Sequence, residues 1–164
     1  MTWKSGPLLK FILFVLLLTT AQARLGDREE EMIERFGKPT SRSKHWVHAQ
    51  GKSFELGPKL TFNQDDWFIS CDLIDGRCVR ISYSKPGDWT EDHIRTVLTA
   101  NAQGAIWKEN SRNPKMRRDW SRSDGSTAAW SVIGGMDLTW DAYNKAKATV
   151  EERARVAAKK KPKL

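Results

Sequence analysis

The stretch from Trp67 to Lys85 constrains the fold of this chain most strongly, because it predicts two strands joined by a tight turn. It is WFISCDLIDGRCVRISYSK. Apolar and polar residues alternate on both sides of Asp75-Gly76, a dipeptide that favours a short hairpin loop. Strands joined by so short a loop can pair only in the antiparallel sense. The sequence therefore predicts a fold built around an antiparallel sheet.

The hydrophobic pattern favours one register for this hairpin. A two-residue loop would place Arg80 and Ser82 on the same face as Ile69 and Leu73. A three-residue loop over residues 74–76, with a bulge at its glycine, makes one face apolar along both strands. Because a shift of one residue moves every side chain to the other face, the two registers exclude each other. We predict the three-residue loop.

The two cysteines of the chain, Cys71 and Cys78, lie on either side of this turn. In the predicted register, Cys71 points into the core and Cys78 points away from it, which leaves no geometry for a disulfide between them. Exported proteins with two cysteines often pair them, so an intramolecular disulfide is kept as the alternative.

The remaining chain shows the spacing and the turn residues of a mixed helix and strand fold. Asp27 and Glu30 form a capping pattern ahead of a helix over residues 27–36. A second helix is predicted after Asp88 or Thr90, ending at Gly104, and a third begins near Thr139 or Asp141. Short strands are predicted before and after the Gly57-Pro58 break, around the Asp124-Gly125 turn and over residues 136–140. We expect the α+β class, with one antiparallel sheet of about four to six strands and helices packed on one face.

The first 23 residues have the features of a secretory signal peptide. Lys4 and Lys10 precede an apolar run from Phe11 to Leu18, and the small residues of Ala21-x-Ala23 follow it. The run is shorter than the roughly 20 residues that a spanning helix needs. We expect cleavage near Ala23, a periplasmic or extracellular location, and no transmembrane anchor afterwards.

The rest of the chain is long enough for one domain, which we place over residues 24–150, followed by a basic, charged tail over residues 151–164. The formal net charge is +8, from 28 basic and 20 acidic residues. Without the two signal lysines it is +6, and four lysines of the segment KKKPKL account for most of the remainder. The folded body is therefore close to neutral, and the tail is expected to be a solvated end.

Motifs for catalysis or metal binding are missing from the sequence. There is no C-x-x-C pair, no H-E-x-x-H, no G-x-S-x-G and no P-loop. His45 and His48 would point to opposite faces of a strand, so we expect no metal site and no cofactor. A small enzyme that uses Cys78 or His93 is kept as the weakest alternative.

One segment combines basic and aromatic residues in the way that polyanion binding requires. Aromatic rings stack on planar groups, while basic side chains contact phosphates or sulfates. The candidate anion-binding residues are Lys108, Arg112, Lys115, Arg117, Arg118, Arg122, Trp107 and Trp120. Because the protein is expected to be exported, envelope polymers or anionic surfaces are favoured as partners, and nucleic acid is not expected.

Three segments carry a resemblance to known proteins: RLGDREEEMIERFGKP, the hairpin with its internal Asp-Gly, and TEDHIRTVLTANAQGAIW. In their order, the chain resembles a group of small exported bacterial proteins of unknown function over roughly residues 24–145. More weakly, it is similar to the outer-membrane-assembly lipoproteins of the SmpA/OmlA type and to β-lactamase-inhibitor-like modules, which are interaction modules. This chain has Arg24 where a lipoprotein has its acylated cysteine, so lipid attachment does not carry over.

These observations lead to an expected function. We expect an exported, non-catalytic binding module of the cell envelope, whose partner is a protein or another envelope component. The alternative is a binder of polyanions or anionic surfaces that acts through residues 107–122 and the basic tail.

Overall fold

The computed structural model describes residues 24–111 and 115–159. The predicted signal peptide, Arg112 of the predicted anion site and the end of the tail (residues 160–164) lie outside these residues. Within them, three helices accompany one antiparallel sheet of eight strands. The predicted α+β class with a single antiparallel sheet is confirmed. The expected number of four to six strands was wrong, because the second half of the chain adds four short strands to the same sheet.

The helices are α1 (Glu29–Phe36), α2 (Glu91–Ala100) and α3 (Asp141–Lys159). The strands are β1 (Ser41–Ala49), β2 (Lys52–Gln64), β3 (Trp67–Ile74), β4 (Arg77–Ser84), β5 (Lys108–Glu109), β6 (Arg117–Ser121), β7 (Thr127–Ser131) and β8 (Gly135–Thr139). Their order in the sheet is β1-β2-β3-β4-β8-β7-β6-β5. The two four-stranded meanders therefore join where β4 pairs with β8.

The β3–β4 hairpin has a two-residue loop, so the predicted three-residue loop was wrong. Ile74 pairs with Arg77 across Asp75-Gly76, and Leu73 pairs with Cys78. Both loop residues have positive φ, 51° and 71°, as expected for the type I′ turn that Asp-Gly favours.

A bulge beside this turn restores the expected faces of the strands. Val79 is the extra residue, because Asp72 pairs with Arg80 rather than with it. Cys71 then pairs with Ile81 on the apolar face, as the hydrophobic pattern requires. The prediction that Cys78 points away from the core was wrong, since the bulge lies after Cys78 and leaves it on the apolar face, fully buried.

The two faces of the sheet are covered by different helices. The apolar face packs with Met32 of α1 and with Ile94 and Val97 of α2 in one core. Helix α3 lies on the other face, where Tyr143 contacts His45 and Arg80. Helices on one face only were predicted, and this was wrong for α3. This polar face binds α3 through polar side chains, such as His45 and Arg80, that contact Tyr143.

Two local predictions also differ from the structure. Strand β2 continues through Gly57-Pro58, where a break was predicted. A Cβ atom at Gly57 would lie 2.1 Å from the Leu73 carbonyl oxygen, so this glycine permits close strand approach rather than a turn. Helix α1 begins after Arg28, whose backbone N–H donates to the Glu31 carboxylate.

Asp27, the predicted cap of α1, accepts instead from the backbone N–H of Arg24 and pairs with Arg35. Helix α2 does have the predicted Thr90 cap, whose hydroxyl accepts from the backbone N–H of His93. Helix α3 continues past residue 150, as far as Lys159.

None of the helices in the described part of the chain is long and apolar enough to cross a membrane.

Candidate functional site

Arg122, from the predicted anion-binding segment, lies inside the protein. Its side chain is 1% exposed, and its guanidinium forms a two-pronged ion pair with Asp124 at 2.6 and 2.9 Å. It also donates to the Asn101 carbonyl oxygen and stacks on Trp107, 5.0 Å from the ring centre. The pKa of Asp124 is held below its ordinary range, chiefly by hydrogen bonds from Arg122. All of these interactions are within the fold.

Arg118, on the same side of the sheet, also has acidic partners within the protein. Two nitrogens of its guanidinium donate to Glu109 at 2.7 and 2.9 Å, and a third lies 2.5 Å from Glu91 of α2. The group stacks over Trp120 at 5.0 Å. Hydrogen bonds from Arg118 are the main cause of the lowered pKa of Glu109.

The other basic residues of the segment differ in their surroundings. Arg117 pairs with Asp119 at 2.8 Å, while Lys108 and Lys115 are exposed. The structure therefore brings predicted basic and aromatic residues together as two stacked pairs, but acidic residues that were not part of the prediction compensate three of the arginines. The spacing Arg-x-Asp, at residues 117–119 and 122–124, was a visible signal: along β6 such residues share one side of the strand, and at Asp124-Gly125 the turn keeps the carboxylate beside Arg122.

The two candidate catalytic groups have structural roles. Cys78 is fully buried, and burial, with a further contribution from neighbouring Cys71, raises the pKa of its thiol well above the ordinary range. A thiol held neutral in this way is a poor nucleophile. His93 Nδ1 accepts from the backbone N–H of Thr90, and its ring packs edge-on against Trp67 with centres 5.5 Å apart. Both cysteines are free thiols in the structure.

A polar cluster lies between helix α3 and the second face of the sheet. It consists of His45, Asp72, Arg80, Asp137 and Tyr143. His45 Nδ1 is 3.3 Å from Asp72 Oδ2, and its Nε2 is 3.2 Å from the Tyr143 hydroxyl oxygen. Arg80 lies 3.8 Å from Asp72 and 3.2 Å from Asp137. These contacts connect β1, β3, β4 and β8 with the first turn of α3.

Burial controls the electrostatics of this cluster. Desolvation is the largest cause of the raised pKa of Asp72 and of the lowered pKa of His45, so it disfavours the charged form of each. Asp72 Oδ1 is buried without a hydrogen-bond partner among the described residues. An Asp-His-Tyr chain resembles a proton relay, but the side chains of His45 and Asp72 are only 11% and 5% exposed, and Tyr143 of α3 contacts His45. The cluster therefore serves best to hold that helix.

The most exposed apolar side chains at one end of the sheet form what we call the apolar tip: Met116, Val132 and Ile133. Their exposed fractions are 58%, 51% and 95%. Val132 and Ile133 lie in the turn between β7 and β8, and the Val132 N–H donates to the Met116 carbonyl oxygen at 3.2 Å. This bond places Met116, which precedes β6, beside the turn. The tip was not predicted, because Val132 and Ile133 were expected to end the strand that follows Asp124-Gly125.

Other residues continue this end of the sheet. The pairings place Ile69, Tyr83, Met136, Trp130 and Arg118 in one row across five strands, and Phe68 and Ser84 form the next pair toward this end. Phe68 is about half exposed. One further exposed apolar ring, that of Phe68, therefore lies at the same end of the sheet as the tip.

Comparison with known proteins gave no match: no protein-family model, no curated protein and no solved structure matches this chain significantly. Within residues 24–111 and 115–159, no group of three or more His, Cys, Asp or Glu residues could hold a metal ion. Inferences about function therefore rest on the chain's own surface.

Proposed function

We propose that this protein is an exported, non-catalytic interaction module that attaches to a component of the cell envelope through the apolar tip. The observation that carries the proposal is the position of Met116, Val132 and Ile133, which expose apolar side chains next to one another at one end of the sheet. Scattered exposed apolar residues are normal on a protein surface, whereas a contiguous group indicates an interaction site.

The surroundings of the candidate catalytic groups support a binding role. The Cys78 thiol is buried and kept protonated, and His93 caps a helix and packs on Trp67. The polar cluster that includes His45 holds α3 against the sheet. Each of these groups therefore has a structural role that explains its presence.

Co-sedimentation with washed envelope from the source cells tests the proposal. Residues 24–164 contain every described helix and strand and omit the apolar run of residues 11–18, which would bind membranes by itself. We expect saturable binding of this chain that Ile133→Ser reduces. The matched control is Ile106→Ser, because Ile106 is 86% exposed and lies near the opposite end of β6. A chain that stays in the supernatant, or equal binding by both variants, would contradict the proposal.

The alternative, a polyanion binder, has support from exposed Lys108 and Lys115 and from the basic tail of the sequence. The ion pairs of Arg117, Arg118 and Arg122 reduce the charge that this segment offers to a ligand. On this alternative, retention on heparin falls with salt and is reduced more by Lys108→Gln with Lys115→Gln than by Arg117→Gln. Retention that none of these changes alters would exclude the segment as the anion site.

A further inference from the structure

We propose that the apolar tip inserts into the interfacial region of an anionic lipid bilayer. This inference rests on the proposed function and identifies the envelope component as lipid. The tip consists of the β7–β8 turn and of Met116 beside it, and Ile133 in that turn is 95% exposed. Almost no protein atom lies beside that side chain, so it can enter another phase without a change of conformation.

The backbone of the tip is prepared for a medium with few hydrogen-bond partners. The Gly134 N–H donates to the carbonyl and hydroxyl oxygens of Ser131, at 3.3 and 3.1 Å, and the Val132 N–H donates to Met116. Exposed backbone polar groups are costly to bury in lipid. Because these two donors already have acceptors within the protein, insertion would not have to break bonds between them and water.

Two lysines, Lys85 and Lys115, lie at the end of the sheet that carries the tip. Lys115 directly precedes Met116 and is exposed. Lys85 follows β4, whose last residue abuts the start of β8: a Cβ atom at Gly135 would lie 3.3 Å from the Ser84 Cα atom. Each lysine close to an anionic membrane contributes attraction. The acidic turn Asp65-Asp66 lies at the same end of the sheet, but it joins β2 to β3, and β4 lies between β3 and β8.

The shape of the tip favours lipid over a folded protein partner. A stable protein interface buries about 800 Å² on each partner, mostly on a broad surface. The three side chains of the apolar tip present far less surface area than that. A bilayer, in contrast, takes up single apolar side chains and needs no complementary shape, so a small convex tip with flanking lysines is sufficient for reversible attachment.

Flotation with lipid vesicles tests the inference, using residues 24–164 and vesicles of phosphatidylglycerol with phosphatidylcholine or of phosphatidylcholine alone. We expect stronger binding to the anionic vesicles. Ile133→Ser should lower the partition coefficient about tenfold, because it removes most of one buried apolar side chain. Lys115→Gln should lower it about fivefold, on the anionic vesicles only. Ile106→Ser should leave it unchanged.

Several results would overturn the inference. The first is vesicle binding that Ile133→Ser does not weaken, and the second is an equal loss of vesicle binding in Ile106→Ser. The third is self-association through the tip, seen as a change of sedimentation coefficient in Ile133→Ser. Native-like thermal unfolding of each variant verifies that it is folded. One result separates the two proposals. If Ile133→Ser abolishes binding to native envelope but the parent chain does not bind lipid vesicles, the proposed function stands and the lipid inference fails.

Discussion

Replacing Asp124 by Asn should destabilise the protein, because it leaves the buried Arg122 guanidinium without its counter-charge. Removing one partner of a buried ion pair costs about 3 to 5 kcal/mol. Two features reduce that cost: the Asp124 side chain is 41% exposed, and Arg122 keeps its bonds to the carbonyl oxygens of Asn101 and Ala102. We therefore expect a loss of about 2 kcal/mol in the free energy of unfolding, or about 4–8 °C in Tm.

Urea unfolding followed by tryptophan fluorescence measures this loss. The control is Asp75→Asn, which makes the same chemical change in the other Asp-Gly turn, where the side chain is exposed and Asn also tolerates positive φ. It should change stability by less than about 0.5 kcal/mol. An equally small effect for Asp124→Asn would show that the Arg122 charge is accommodated without Asp124, and the account of Arg122 as an internal structural cation would be wrong.

The same variant has a predicted pH dependence. The pKa of Asp124 in the folded protein lies below its ordinary value of 3.8. The carboxylate therefore contributes its full stabilisation above pH 3.8 and loses it as the pH falls through the folded-state pKa. The difference in stability between the parent chain and Asp124→Asn should be constant near neutral pH and should shrink in acid. A difference that grows in acid would contradict the assignment.

Three further predictions concern the core and helix α3. Cys71 and Cys78 should not react with a thiol reagent in the native protein, and both should react in denaturant without reductant; fewer than two thiols would indicate a disulfide. Tyr143→Phe should lower the free energy of unfolding by about 1 kcal/mol, because it removes the hydrogen bond to His45 and keeps the ring. Urea unfolding measures this loss, and an unchanged free energy would show that the bond does not stabilise the protein. Gly57→Ala should lower the free energy of unfolding by roughly 2 kcal/mol or more, because the added methyl group would lie 2.1 Å from the Leu73 carbonyl oxygen. An unchanged midpoint of urea unfolding would show that β2 and β3 do not approach so closely at this position.

The hairpin shows how far local patterns predict this fold. Alternation along β3 and β4 correctly assigned the two faces, because one of them had to be apolar. It did not predict how the chain achieves those faces, since a three-residue loop and a two-residue loop followed by a bulge at Val79 give the same alternation beyond the turn. Because of this error, Cys78 was predicted at the surface, whereas it lies in the core.

The candidate site illustrates the same limit at longer range. The basic and aromatic composition of residues 107–122 was visible, but the partners of Arg118 are Glu109, nine residues away, and Glu91, which lies on α2. No local spacing connects these residues. The apolar tip was not predicted either, because a short apolar run has the same composition whether it lies within a strand or in an exposed turn.

The sequence by itself determined the antiparallel pairing, the α+β class and the faces of the central strands, because turn residues and alternation act over a few neighbouring positions. Tertiary structure alone decided which strands adjoin, which face α3 covers and which arginines are neutralised. Those outcomes depend on residues far apart in the chain, such as His45 with Tyr143, whose approach follows from the packing of the whole sheet. For this protein, the surface left free after that packing is the guide to its function.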